Sequence, residues 1–298
     1  MKLRSDAPIE TLLADFDREI PPLCREQGVP GLSLALIQGG VLAATWEFGV
    51  RNVETGEPVD ADTVFQGASL SKPVFALGVR RLCEQGMLDL DRPLREYLLD
   101  SYALGDSRID RITARMVLSH QTGLPNWRPD GQDLVTLRAP GLGFGYSGEG
   151  YVYLQRVVEQ LTGLSLEAYL WATGLEPLGM LASHYVWIDR YDAVATIGYR
   201  ADGTAVQPMR AETANAAYSL HLTAADMTRL ILATFSADGG EWLRPQVQLP
   251  HDPALAWGLG WGLQSTADGP AFWHWGDYPG LPHLNGMSLP SSSPDSIA

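Results

Sequence analysis

The sequence predicts an α+β fold in which strands from both chain ends build an antiparallel sheet around a large helical insertion. Three observations predict it. Two apolar, β-prone runs flank Gln38-Gly39-Gly40 near the start of the chain. Helical signals dominate from about residue 69 to 250. Strand character returns after 250, in LAWGLGWGL and AFWHWG. The expected organisation is one domain over 1–298, with an α/β lobe of 1–60 and 250–298 and a helical lobe of 61–249.

Each element has a local reason. Ile9, Leu12, Leu13, Phe16 and Ile20 share one side of a helix over 10–27, which Pro21-Pro22 should break or restart. GLSLALI and VLAATWEFG around a Gly-Gly turn predict a hairpin from Gly31 to Gly49. The stretch 51–66 is polar and rich in turn formers. Phe75, Val79, Leu82 and Cys83 line one helical face that stops at Gly86. Thr113 is placed to cap a helix carrying Met116, Val117 and Leu118. Ser147 is placed to cap one carrying Leu154, Val157, Val158 and Leu161, with Gly163 as its stop. Thr223 does the same for 224–235.

Composition removes several function classes. The 35 acidic and 21 basic residues leave a formal net charge of -14, which repels phosphate backbones and anionic membranes, so neither nucleic acid nor membrane is an expected partner. No apolar run reaches the length of a membrane span. The N-terminus MKLRSDAPIETLLADFDREI lacks the apolar core of a signal peptide, which predicts a cytoplasmic protein. Cys24 and Cys83 are expected to be reduced thiols rather than a disulfide framework.

The sharpest chemical feature is Ser69-Leu70-Ser71-Lys72 at a loop-to-helix junction. Residues three apart on a helix share a face, so the Lys72 amine can reach the Ser69 hydroxyl. A serine hydroxyl attacks well only when a base takes its proton. A lysine is such a base once desolvation lowers its pKa. Residue usage sharpens the signal: of 21 basic residues only Lys2 and Lys72 are lysines, and arginine cannot act as a base.

Two further features follow. Tyr146-Ser147-Gly148 precedes a helix, and a phenol beside an ammonium loses its proton more easily and can relay it. His274-Trp275-Gly276-Asp277 ends an aromatic strand, where glycine lets a substrate approach the strand edge. Taken singly, each reads more simply as a packed tyrosine or a core histidine. Two other chemistries fail on spacing. Gly143 to Gly148 match G-x-G-x-x-G, and Glu167 follows, but Ala139-Pro140-Gly141 interrupts the approach that a dinucleotide fingerprint needs. The six histidines, at 120, 184, 221, 251, 274 and 283, form no metal-ligand pair. No cofactor and no metal are therefore expected.

The three features in this order resemble the serine β-lactamase and penicillin-binding protein superfamily, especially its class C β-lactamase, D-alanyl-D-alanine peptidase and family VIII carboxylesterase branch. VPGLSLALIQGG, FQGASLSKPVFALGVRRLCEQGMLDLDRPL, ITARMVLSHQTGLPNW, YSGEGYVYLQRVVEQLTG and FWHWGDYPG all read like that family, over roughly residues 29 to 280. The resemblance implies a β-lactamase/transpeptidase-like fold. It implies Ser69 as the acylated nucleophile, Lys72 as its base and Tyr146 as a proton shuttle. It implies an oxyanion hole from the backbone N–H groups of Ser69 and Asp277, with Gly148, His274 and Gly276 on the substrate side.

Three departures qualify it. Gly148 stands where many relatives carry asparagine. His274 replaces a lysine and holds a carboxylate only when protonated. The chain ends where relatives continue with strands and a long helix. It reads as truncated near 281, with one poor strand over 281–289 that Pro282 and Gly286 oppose. Losing amide and carboxylate recognition while keeping the nucleophile predicts a serine hydrolase of small carboxylic esters, with Trp127, Trp273 and Trp275 lining an aromatic cleft. The alternatives are a β-lactamase or D-alanyl-D-alanine carboxypeptidase, with a β-lactam or peptide as partner. A further one is a non-catalytic penicillin-type receptor or inactive truncated homologue.

Overall fold

The computed structural model describes residues 8–100, 102–103, 105–236, 240–267, 269–277, 285–290 and 296–297. Helix α1 (Ile9–Gln27) runs unbroken through Pro21 and Pro22, contrary to the sequence expectation. Those prolines leave the carbonyls of Asp17 and Arg18 without helical donors. Packing outweighs this loss. Phe16, Ile20 and Cys24 are buried against Leu32, Leu34, Trp46 and Phe48 of the following hairpin, and the Trp46 indole donates to Asp17 at 2.7 Å.

That hairpin comprises β1 (Gly31–Gln38) and β2 (Val41–Asn52). Gly39 and Gly40 take φ of 62° and 75°, the left-handed pair that a tight two-residue hairpin turn requires. Ala43 of β2 is an extra residue opposite the Leu36–Ile37 step; Ile37, on the face of β1 opposite Leu32 and Leu34, joins the main core. Strand β3 (Glu57–Pro58) adds to β2. The polar stretch also feeds a short strand that the sequence reading missed, β4 (Phe65–Ala68). It leads directly into α2 (Ser71–Glu84).

The helical part continues with α3 (Ala114–Leu118) and α4 (Gly148–Thr162). The expected caps form: Thr113 Oγ1 accepts from Met116 N at 3.3 Å, Ser147 Oγ from Gly150 N at 3.0 Å, and Gly163 ends α4 at φ 67°. Short helices α5 (Leu166–Leu170) and α6 (Tyr191–Val194) follow, then the pair β5 (Gly198–Tyr199) and β6 (Ala205–Val206). Strand β7 (Leu220–Leu222) returns to pair antiparallel with β4. Helix α7 (Ala224–Ser236), capped by Thr223, packs on β1 and β2 opposite α1.

The late strands are β8 (Val247–Gln248), β9 (Leu255–Trp257), β10 (Gly262–Thr266), β11 (Gly269–Gly276), β12 (Asn285–Pro290) and β13 (Ser296–Ile297). Both chain ends contribute antiparallel strands, as expected, and their hydrogen bonding divides into two sheets. One runs β13-β1-β2-β3 and the other β12-β11-β10-β9-β8. β12 lies beside β13, so the tail brings the two sheets together. The poor strand expected over 281–289 corresponds to β12; residues 281–284 lie outside the described residues. One buried cluster links Ile37, Phe75, Val79, Leu118, Leu154, Val158, Leu263 and Phe272 across these parts. Cys24 and Cys83 are free thiols.

Candidate active site

The site is built where β4 turns into α2. Ala68 is forced to φ 45°, a left-handed conformation that costs a non-glycine residue on the order of 1–2 kcal/mol. Ser71 holds the turn: its hydroxyl donates to the Ala68 carbonyl at 2.6 Å and accepts from Leu220 N of β7 at 2.9 Å. Ser69 therefore sits at the mouth of α2, half-buried, just ahead of the first helical residue.

Lys72 points back to it. Its Nζ lies 3.0 Å from Ser69 Oγ and donates to the Ala217 carbonyl at 2.7 Å. The side chain is 1% exposed, and among the described residues no carboxylate pairs with it. Burial lowers its pKa from 10.5 to about 7. A neutral amine has two N–H bonds and one lone pair. With one N–H on Ala217, the lone pair is free to face the Ser69 hydroxyl.

Tyr146 completes the group. Its phenol stands close enough to the Ser69 hydroxyl to feel it, and Lys72 Nζ lies 4.8 Å from its ring centroid. The expectation of a more acidic phenol is overturned: enclosure raises the Tyr146 pKa, and the Ser69 hydroxyl opposes this only in part. The amine is the group that sheds its charge, so the phenol keeps its proton.

The strand that ends in His274, Trp275 and Gly276 lies against the same turn. A Cβ on Gly276 would fall 2.1 Å from the Gly67 carbonyl oxygen. Close approach of β11 to β4 thus requires glycine here, a reason different from the substrate access that the sequence suggested. Asp277 follows, exposed, at the strand end. His274 is 1% exposed, and its Nδ1 donates to the Trp275 carbonyl at 2.8 Å. Burial and the nearby Lys72 push its pKa down to about 3. The protonated form that would clamp a carboxylate is absent at neutral pH.

A sequence model of the family described as Beta-lactamase matches residues 11–284. The chain belongs to the beta-lactamase family. Esterase EstB of Burkholderia gladioli is 31% identical over 57% of this chain and 50% of its own length. Penicillin-binding protein 4* of Bacillus subtilis (strain 168) is 27% identical over 82% of this chain and 62% of its own length. The chain thus spans about half to three fifths of these two relatives. Among solved structures, D-alanine carboxypeptidase AmpC from Burkholderia cenocepacia superposes with a TM-score of 0.81 at 18% identity, covering 97% of this chain and 93% of that one. The octameric penicillin-binding protein homologue from Pyrococcus abyssi gives 0.80 at 22% identity, covering 96% and 72%. These two likenesses concern the fold.

Within this family fold, other expected residues sit differently from the sequence reading. Gly148 is closed off: its N–H donates to Asn126 Oδ1 at 3.0 Å, and a Cβ there would lie 2.5 Å from the Trp127 indole. Trp127 covers the place that Gly148 was expected to offer a substrate. The Trp127 ring meets Tyr218 edge-on at 5.5 Å and is 44% exposed. Trp275 is 46% exposed and stacks on Trp273 at 4.4 Å, which leaves Trp273 buried beneath it. Of the three expected cleft tryptophans, two therefore present surface.

Sequence reasoning missed His120, Trp257 and Ala217. His120 is fully buried and stacks on Tyr146 at 4.1 Å. Trp257 packs edge-on against His120, Tyr146 and His274. The one available signal for His120 was its place in a family-like segment, SHQTGLPNW. The Ala217 contribution is a backbone carbonyl, which no side-chain pattern announces. No strand leads into 143–148. Among the described residues, no group of three or more His, Cys, Asp or Glu could hold a metal ion. None of their helices is long and apolar enough to cross a membrane.

Proposed function

We propose that the protein is a serine hydrolase that cleaves small carboxylic esters through an acyl-enzyme. The observation that carries the proposal is the buried Lys72 amine, 3.0 Å from Ser69 Oγ, with its pKa lowered to about 7. Ser69 Oγ attacks the ester carbonyl while its proton passes to Lys72 Nζ, directly or across the Tyr146 phenol. The carbonyl oxygen becomes an oxyanion facing the N–H groups of Ser69 and Asp277, each such donor being worth about 3 kcal/mol in the transition state. The C–O bond to the alcohol breaks, and the departing oxygen takes the stored proton. A water molecule then repeats the sequence on the acyl-enzyme: its proton goes to the amine, the carboxylic acid leaves, and Ser69 recovers its hydrogen.

Esters rank ahead of β-lactams and D-alanyl-D-alanine peptides on two grounds. Gly148 has no side-chain amide to offer a substrate amide, and Trp127 covers it. His274 is neutral, so no permanent cation awaits a carboxylate. The esterase of Burkholderia gladioli supports the same ranking. The test is intact-mass measurement after a fluorophosphonate probe, with turnover of p-nitrophenyl butyrate and nitrocefin. We expect one adduct, lost in Ser69→Ala, and ester turnover above nitrocefin turnover. Ester turnover that survives Ser69→Ala unchanged sinks the mechanism. Faster nitrocefin turnover reverses the substrate ranking, and labelling without turnover of either makes the protein a receptor.

A further inference from the structure

Tyr146 has no regular element to hold it. Residues 141–147 form neither helix nor strand, yet the phenol must stay on Ser69. Trp257 packs on its ring, and one residue just past the end of α3 makes three contacts around it. The His120 carbonyl accepts from Gly145 N at 2.7 Å. The His120 Nδ1 accepts from Ser147 N at 3.1 Å. Between these two bonds the imidazole stacks on the Tyr146 ring, at 4.1 Å and 29°. The residues on both sides of Tyr146, and its ring, are therefore gripped by one side chain and its own backbone.

Two further observations separate His120 from a packed core residue. It adopts φ 55°, where glycine is the low-strain choice, so the histidine side chain is kept at a conformational cost. Its tautomer is also specified. Nδ1 accepts a backbone N–H, so the ring proton sits on Nε2. Burial, with smaller contributions from Lys72 and His274, holds the ring neutral. A cation at this place would oppose a proton arriving on Lys72.

We propose that His120 is the positioning residue of Tyr146, holding the phenol against Ser69 through the Nδ1 bond to Ser147 and the ring stack. It touches neither substrate nor the reacting atoms; it acts through the tyrosine. The inference rests on the acyl-enzyme reading above.

The test is a double-mutant cycle on turnover of p-nitrophenyl butyrate, with His120→Ala, Tyr146→Phe and the double variant. Misplacing a catalytic group by about an ångström costs on the order of 100-fold. We expect His120→Ala to lower kcat 10- to 100-fold with KM within about twofold. On the Tyr146→Phe background the same change should cost less than about twofold, because the group it positions is gone. His120→Asn keeps an acceptor for the Ser147 N–H and should recover part of the loss, whereas His120→Phe keeps the ring and loses the acceptor. If the alanine variant does not fold, as judged by circular dichroism, the cycle is run with asparagine. Equal losses on both backgrounds, or an unchanged kcat in a folded His120 variant, overturn the proposal. A wild-type chain that takes no fluorophosphonate label at Ser69 fails the acyl-enzyme reading instead, so the two failures are distinguishable.

Discussion

Lys72 is the residue whose chemistry the fold changes most. In the unfolded chain its amine keeps a proton to about 10.5; buried, it gives the proton up near 7. Between these values the unfolded state binds more protons, so this group makes the protein more stable as pH rises from about 7 to 10.5. Below 7 the buried charge exerts its full penalty. Urea denaturation at pH 7 and pH 10 checks this: the gain should be present in wild type and absent in Lys72→Met. The same ionisation shapes activity, and kcat/KM for a neutral ester should rise with pH through a limb near 7. Lys72→Arg keeps a cation that cannot lose its proton and should lower kcat by roughly 100- to 10,000-fold in steady-state assays. This residue was legible in the sequence, because a lone internal lysine three positions after a serine is a pattern of residue types. Its partner Ala217 was not, because a backbone carbonyl 145 positions away follows only from the β4–β7 pairing.

At the scale of elements, the capped helices and the Gly-Gly hairpin were readable because their causes are local. Thr113, Ser147 and Thr223 each accept a bond from three residues ahead. The continuity of α1 through two prolines was not readable, because it depends on β1 and β2. Phe16 is the centre of that contact, 2% exposed and edge-on to Trp46 at 6.3 Å. Phe16→Ala should cost about 3–5 kcal/mol of stability by urea denaturation. Its catalytic constants should stay near wild type, since α1 lies away from Ser69. The contact between β11 and β4 behaves in the opposite way. Gly276→Ala puts a methyl 2.1 Å from the Gly67 oxygen and must push the strand off the turn that carries Ser69. It should lower kcat/KM for p-nitrophenyl butyrate by about 100-fold while fluorophosphonate labelling slows in parallel.

For the whole molecule, a net charge of -14 sets the long-range field that any substrate meets. An anionic β-lactam is repelled and a neutral ester is not. Raising salt from about 0.01 to 0.15 M shortens the screening length from roughly 30 to 8 Å. Nitrocefin kcat/KM should therefore rise roughly twofold or more while that of p-nitrophenyl butyrate stays flat; a flat nitrocefin response would show that the local cleft field dominates. The overall architecture was legible because strand signals cluster at both chain ends. The division into two sheets was not, since register across β1, β12 and β13 is set by packing far apart in sequence. The glycine pair at the β4–β11 contact also bears on how this protein could acquire new specificities. A side chain at Gly276 meets the Gly67 backbone oxygen at 2.1 Å, whereas one at Gly67 meets first the movable end of Leu222, so the Gly276 side of this contact is the part closed to mutational exploration. Variation enters more readily at the half-exposed Trp127 than at Asn126, whose carbonyl holds the Gly148 and Glu149 N–H groups, and a library randomised at Trp127 samples the freedom that the scaffold leaves open.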